Sequence, residues 1–168
     1  PDRASLGRVF GNTDKTPAPI SVLSEDATGN IWAGTWGDGL FMLDGITSEI
    51  QHYSNDADME SGFDAAFVNS IHRDLAGSLW IATADHGLFQ RDSVSGKFHT
   101  IPQLEGPSAS GGETASIVKI PNDVRSALID QSDNLWIVTA NTLVVQFSDT
   151  LKTRIFNASD GLQDSFLP

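Results

Sequence analysis

The chain has 168 residues, enough for one domain with a real core. It carries 22 acidic and 10 basic side chains, a formal net charge of −12, and no cysteine. Few and scattered basic residues argue against a nucleic-acid partner, and the missing thiols exclude disulfides, thiolate chemistry and Cys-based metal sites. No apolar run approaches the roughly 18–20 residues that span a bilayer. The chain begins Pro1-Asp2-Arg3, without Met or an apolar leader, which suggests a processed or shortened chain and leaves the compartment open.

In chain order, residues 6–10 read as the outermost strand of an earlier unit, followed by turn residues and Pro17-Ala18-Pro19. Strands are then expected over residues 20–23, 31–35, 40–43 and 49–53. Asp26-Ala27-Thr28-Gly29 forms the first turn, because Asp bonds its own downstream backbone and Gly accepts positive φ. Trp36-Gly37-Asp38-Gly39 forms a tight hairpin, and Asp44-Gly45 a further turn. An acidic connection, residues 55–62, leads to a second set: strands 67–71, 79–83, 88–91 and 98–101, with turns at Asp74–Gly77, Ala84-Asp85-His86-Gly87 and Ser95-Gly96. Residues 102–122 follow. Their centre, Gly106-Pro107-Ser108-Ala109-Ser110-Gly111-Gly112, is loop-like, while Ile117-Val118-Lys119-Ile120 reads as a short added strand or a patch against the neighbouring unit. A third set runs from Val124 to Phe156. There Asp133 takes the place of the turn Gly, and Asn141, which tolerates positive φ, is expected to stand in for a hairpin Gly.

These sets are copies of one unit. Asp26-Ala27-Thr28-Gly29-Asn30-Ile31-Trp32-Ala33-Gly34-Thr35 returns from Asp74 to Thr83 and again from Asp130 to Thr139. In each copy Trp follows Asp by six residues and Thr follows Trp by three. Four hairpin-linked strands at a period of about 45–55 residues are the signature of a β-propeller blade. The fold expected is all-β: about three full four-stranded antiparallel blades, residues 20–53, 67–101 and 124–156, with residues 1–19 and 157–168 belonging to flanking blades of a single partial propeller domain. A blade buries its faces only against its neighbours, so Trp32, Trp80 and Trp136 are expected to fill the wedges between sheets. Asp26, Asp74 and Asp130 are expected to form turns, and Thr35, Thr83 and Thr139 belong to the same structural set. Closed rings need roughly four to eight blades, so a chain with three is not expected to close by itself.

The run Asp-x-x-Gly-Asn-Ile-Trp-Ala-Gly-Thr, followed by Gly39-Leu40 and Asp44, resembles the two-component regulator propeller repeat. The resemblance covers about residues 20–156 and extends to Asp160-Gly161-Leu162, which fits the family's link between repeats. It implies a periplasmic, ligand-sensing region of a membrane-bound histidine kinase or diguanylate cyclase receptor, often tuned to carbohydrates. The sequence shows no kinase, cyclase or nucleotide-binding box and no membrane segment.

Loops joining second to third strands, and fourth strands to the next first strand, gather on one propeller face. Trp36, Asp38, Asp85, His86 and Asn141 are therefore the candidate ligand contacts: a ring to stack on the apolar face of a sugar, and carboxylates and an amide for its hydroxyls. Local packing, or packing on the neighbouring blade, is the alternative for Trp36. The acidic connection Asn55-Asp56-Ala57-Asp58-Met59-Glu60 lacks the glycine and spacing of a calcium loop, and His52, His72, His86 and His99 lack the spacing of a helical zinc site. His52 and His99 read as equivalent fourth-strand positions. No catalytic residue, metal or cofactor is assigned. Binding of a small molecule or carbohydrate is the leading reading. A protein-interaction scaffold is the alternative. A propeller lyase similar to the streptogramin lyases, with His86 and Asp85 as the reactive pair, is the second. The remaining partners expected are the rest of a receptor chain, or further copies meeting through exposed blade faces.

Overall fold

The computed structural model describes residues 18–54, 61–106 and 116–162. Its strands form three four-stranded antiparallel sheets and one two-stranded hairpin. The first sheet holds β1 (Ile20–Glu25), β2 (Ile31–Thr35), β3 (Leu40–Leu43) and β4 (Ile50–Tyr53). The second holds β5 (Val68–Arg73), β6 (Leu79–Thr83), β7 (Leu88–Arg91) and β8 (Phe98–Thr100). The hairpin is β9 (Gln103–Gly106) with β10 (Ser116–Lys119). The third sheet holds β11 (Ser126–Ile129), β12 (Leu135–Val138), β13 (Leu143–Gln146) and β14 (Thr153–Phe156). The only helical turn among the described residues is a 3-10 turn, Ala158–Asp160, capped by Asn157 and ended by Gly161 at φ 93.

Each sheet is a meander in chain order, and the first strands of successive sheets pack side by side, β1 beside β5 and β5 beside β11. This is the arrangement of propeller blades around an axis, and the chain folds as part of a β-propeller. The second and third strands of the first two blades have the bounds that alternation and turn residues gave. First strands run further: β1 reaches Glu25 and β5 reaches Arg73, because pairing continues to Ile31 and Leu79 across the Asp turn.

Side chains alternate between faces along a strand, so every blade has one face toward each neighbour. Trp32, Leu40, Met42 and Tyr53 of the first blade meet Ile71, Leu79, Ile81, Phe89 and Phe98 of the second, with Phe63 and Ala65 from the connection between them. Ala82 and Leu88, with Trp80, meet Ala127, Ile129, Leu135, Ile137 and Val144 of the third. The interfaces also fix backbone approach. A Cβ on Gly34 would lie 2.5 Å from Val68 Cγ1, so the second strand of one blade touches the first of the next only because residue 34 has no side chain.

The β9–β10 hairpin is an insertion on this plan. The strand expected at residues 117–120 runs from Ser116 to Lys119, and Val118 and Ile120 pack with Leu104 into the second interface. Its partner strand, Gln103–Gly106, falls where a loop was expected. Residues 107–115 lie outside the described residues, as do the strand expected at residues 6–10 and residues 55–60 of the acidic connection.

The register corrects the reading of two histidines. His52 is opposite Phe41, whereas His99 is opposite Gln90. Phe41 corresponds to Phe89, so the equivalent of His52 is Thr100, and the two imidazoles lie on opposite faces of their blades. His52 stacks on Phe41 at 4.1 Å.

Candidate functional site

The repeated Asp does more than make a turn. Asp26 accepts the backbone N–H groups of Thr28 and Asn30 at 2.9 and 3.0 Å, and its Oδ2 accepts the indole N–H of Trp32 at 2.9 Å. Trp80 donates to Asp74 at 3.0 Å, and Trp136 to Asp130 at 2.8 Å. The six-residue spacing thus places each carboxylate under its own indole, which lets a Trp be buried with its polar atom satisfied. Burial opposes the charge on Asp26, but hydrogen bonds from Trp32, Thr28 and Asn30 outweigh it and hold the carboxyl well below the usual carboxylate range. The Trp136 indole, aided by Asn134, holds Asp130 at about 2.

The repeated Thr closes the next hairpin. Thr35 Oγ1 donates to the Gly39 carbonyl at 2.9 Å and accepts the Asp38 N–H at 3.1 Å. Thr83 does the same with Gly87 and His86. In the third blade the hairpin is one residue shorter, and Thr139 Oγ1 accepts the Thr142 N–H directly at 3.2 Å. This shorter closure needs no left-handed residue, so Asn141 does not adopt the positive φ expected of it. Asp133, by contrast, has φ 62 where Gly29 and Gly77 have 86 and 88, and substitutes for the turn glycine as expected.

These threonines hold the hairpins on which the candidate contacts lie. Trp36 is 53% exposed and meets Phe67 edge-to-face, ring centres 6.1 Å apart. Phe67 is itself 40% exposed, and its backbone N–H points to Asp85 Oδ1 at 3.5 Å. Asp85 Oδ2 accepts the Ala66 N–H at 2.9 Å and lies 3.1 Å from His86 Nδ1. Trp36, Phe67, Asp85 and His86 therefore form one continuous line, two exposed rings followed by a carboxylate–imidazole pair, running from the first blade to the second. Phe67 was missed in the sequence because it opens an apolar strand and reads as core; an aromatic at a strand start beside a hairpin Trp was the available signal.

Asp38 lies on the same hairpin but is partly engaged: its Oδ2 accepts the Ala18 N–H at 3.1 Å, and its carbonyl meets His52 Nε2 at 2.6 Å. Asn141 is exposed on the third hairpin and makes no contact with this line. Among the described residues no three His, Asp or Glu side chains come together as a metal-binding set, and no helix is long and apolar enough to cross a membrane.

The architecture thus defines a propeller segment with an aromatic and polar rim. No family model matches the sequence, and no curated protein does. Among solved structures, it is similar to the extracellular domain of the hybrid two-component system BT3049 from B. thetaiotaomicron, with TM-score 0.59 and 19% identity over 91% of this chain. The chain spans 19% of that domain's length. Weaker likenesses are to the extracellular domain of BT4673 from the same organism, at TM-score 0.46, 18% identity, 93% of this chain and 25% of that one. PorZ, a surface component of the type-IX secretion system of Porphyromonas gingivalis, matches at TM-score 0.43 and 14% identity, over 93% of this chain and 30% of that one. The first of these agrees with the repeat resemblance on the fold.

Proposed function

We propose that this chain is part of the extracytoplasmic sensor propeller of a membrane-bound two-component-type receptor, and that it binds a small molecule or carbohydrate without transforming it. The observation that carries the binding reading is the line Trp36–Phe67–Asp85–His86. Two rings exposed at a rim, beside a carboxylate held in place by backbone N–H groups, present an apolar face and fixed acceptors to a sugar. The resemblance of the repeats, and the extracellular two-component domain with which the fold is shared, support the receptor context.

Isothermal titration against a panel of neutral and acidic oligosaccharides tests the binding face. A binder is expected whose affinity falls about fivefold or more in Trp36→Ala, since an aromatic contact of this kind supplies on the order of 1 kcal/mol or more. Affinity unchanged in both Trp36→Ala and Phe67→Ala would remove the ligand from this face.

The Asp85–His86 pair favours one second reading, a lyase that uses His86 as a base. Against it, Asp85 is already shared with the Ala66 N–H. Incubation of the ligand with the wild-type chain and with His86→Ala separates the readings: a lyase converts it and loses that turnover in the variant, whereas a sensor leaves it unchanged with either chain.

A further inference from the structure

The two interfaces between blades are not packed alike. In the first, Trp32 is fully buried. It stacks on Tyr53 at 5.6 Å, meets the edge of Phe98 at 6.1 Å, and lies under the Arg91 guanidinium at 4.8 Å. In the second, Trp80 holds the equivalent position but is only half-buried. The residues that would cover it have changed. Arg91 pairs with Phe98 across β7 and β8, and the corresponding pair across β13 and β14 is Gln146 with Thr153. An aromatic ring and a guanidinium are thus replaced by a hydroxyl and an amide. Gln146 lines a cleft of about 290 Å³ together with Asp74, Trp80, Gln90, Leu135 and Ser148, among others. It opens at the end of the blades where the Asp turns lie, opposite the hairpins that carry Trp36 and His86.

We propose that this cleft is a second binding site, for one neutral polyhydroxylated ring of monosaccharide size. Its volume lies at the lower end of the range of ligand sites, roughly 300–1,000 Å³. Trp80 and Leu135 supply an apolar wall against which the C–H face of a sugar stacks. The polar groups around it are amides, a hydroxyl and carboxylates, and no Lys or Arg lines it, so an anionic ligand is not accommodated. Two of these groups have capacity to spare. Among the described residues the Gln90 amide has no hydrogen-bonding partner. Gln146 uses only its Nε2, which donates to the Glu105 carbonyl at 2.9 Å and points to that of Leu151 at 3.4 Å, leaving Oε1 to accept from a hydroxyl. On the same face, Thr153 Oγ1 is buried without a partner. The unused amide groups of Gln90 and Gln146, beside a half-covered indole, are groups that the hydroxyls of a small polyol can satisfy.

This inference does not rest on the hairpin face, and the test keeps the two apart. The indole N–H resonance of Trp80 and the side-chain amides of Gln90 and Gln146 are followed by NMR while glucose, galactose, mannose and xylose are titrated separately. At least one sugar is expected to shift these signals saturably, with the same response in Trp36→Ala. Gln146→Arg and Thr153→Phe restore the groups that fill the first interface. Each is expected to abolish the response while the backbone spectrum and melting temperature show an intact fold. No saturable shift with any of the four sugars would overturn the proposal. So would a response surviving both filling variants.

Discussion

At the scale of single residues, the Asp–Trp bond is the unit on which each blade depends. Trp32→Phe keeps a ring in the wedge but takes the indole donor from Asp26, leaving a buried carboxylate short of a partner. A loss of about 1–3 kcal/mol is expected by urea denaturation, and a smaller one for Trp136→Phe, because Trp136 is half-exposed. The same bonds set the acid limb of stability. Asp26 and Asp130 ionise at lower pH in the folded chain than in the unfolded one. Their contribution is therefore whole above the unfolded value, near 4, and fades as pH falls through the folded value, about 2 for Asp130. Stability is expected to drop between about pH 4 and pH 2, and the drop to flatten in Asp130→Asn; a wild-type profile level across that window would refute this. The spacing of Asp and Trp was legible in the sequence, and the turn followed from it. The hydrogen bond did not, since nothing in a linear spacing says that the ring folds back over the turn.

Hairpins and strands follow a similar division. Gly39 has φ 75, and a Cβ there would meet the Tyr53 carbonyl at 2.5 Å. Gly39→Ala is thus strained in its backbone and blocked by a neighbour, and a loss of several kcal/mol is expected, of which the left-handed conformation accounts for about 1–2 kcal/mol. Thr83→Val removes the hydroxyl that caps the Gly87 carbonyl, with an expected cost of about 1 kcal/mol. Thermal melts of the two variants should rank them in that order. The inserted hairpin contributes through Leu104, which is 4% exposed. Leu104→Ala is expected to cost about 2–5 kcal/mol, and its loss should loosen the second interface more than the first. Strands β2, β3, β6 and β7 could be read because alternation and turn residues agree there. Strand β9 could not: Gln103–Gly106 is polar and short, and pairs with Ser116–Lys119, residues that share no local signal with it.

For the whole molecule, the outward faces of the first and third blades matter most. Leu23 and Ile31 are 64% and 36% exposed on the first, and Leu128 is 44% exposed beside Trp136 on the third. The residue corresponding to Trp136 in the first blade, Trp32, is covered by a neighbouring sheet. We propose that these two faces receive further blades, from the rest of a receptor chain or from a second copy. Sedimentation velocity is expected to show association that rises with concentration and falls in Leu128→Lys; a strictly monomeric chain at all concentrations would contradict it.

What the sequence determined by itself was the repeat and the blade, with Trp32, Trp80, Trp136 and Thr35, Thr83, Thr139 at fixed places in them, because alternation, glycine turns and six-residue spacing act within one hairpin. Only the tertiary structure decided which rim residues meet. Trp36 and Phe67 come from different blades, and half-buried Trp80 shares a cleft with Gln146, more than sixty residues away, where the corresponding Arg91 lies over Trp32. Such contacts depend on how one sheet is laid against the next, and the period of a single strand carries no record of its neighbour's side chains.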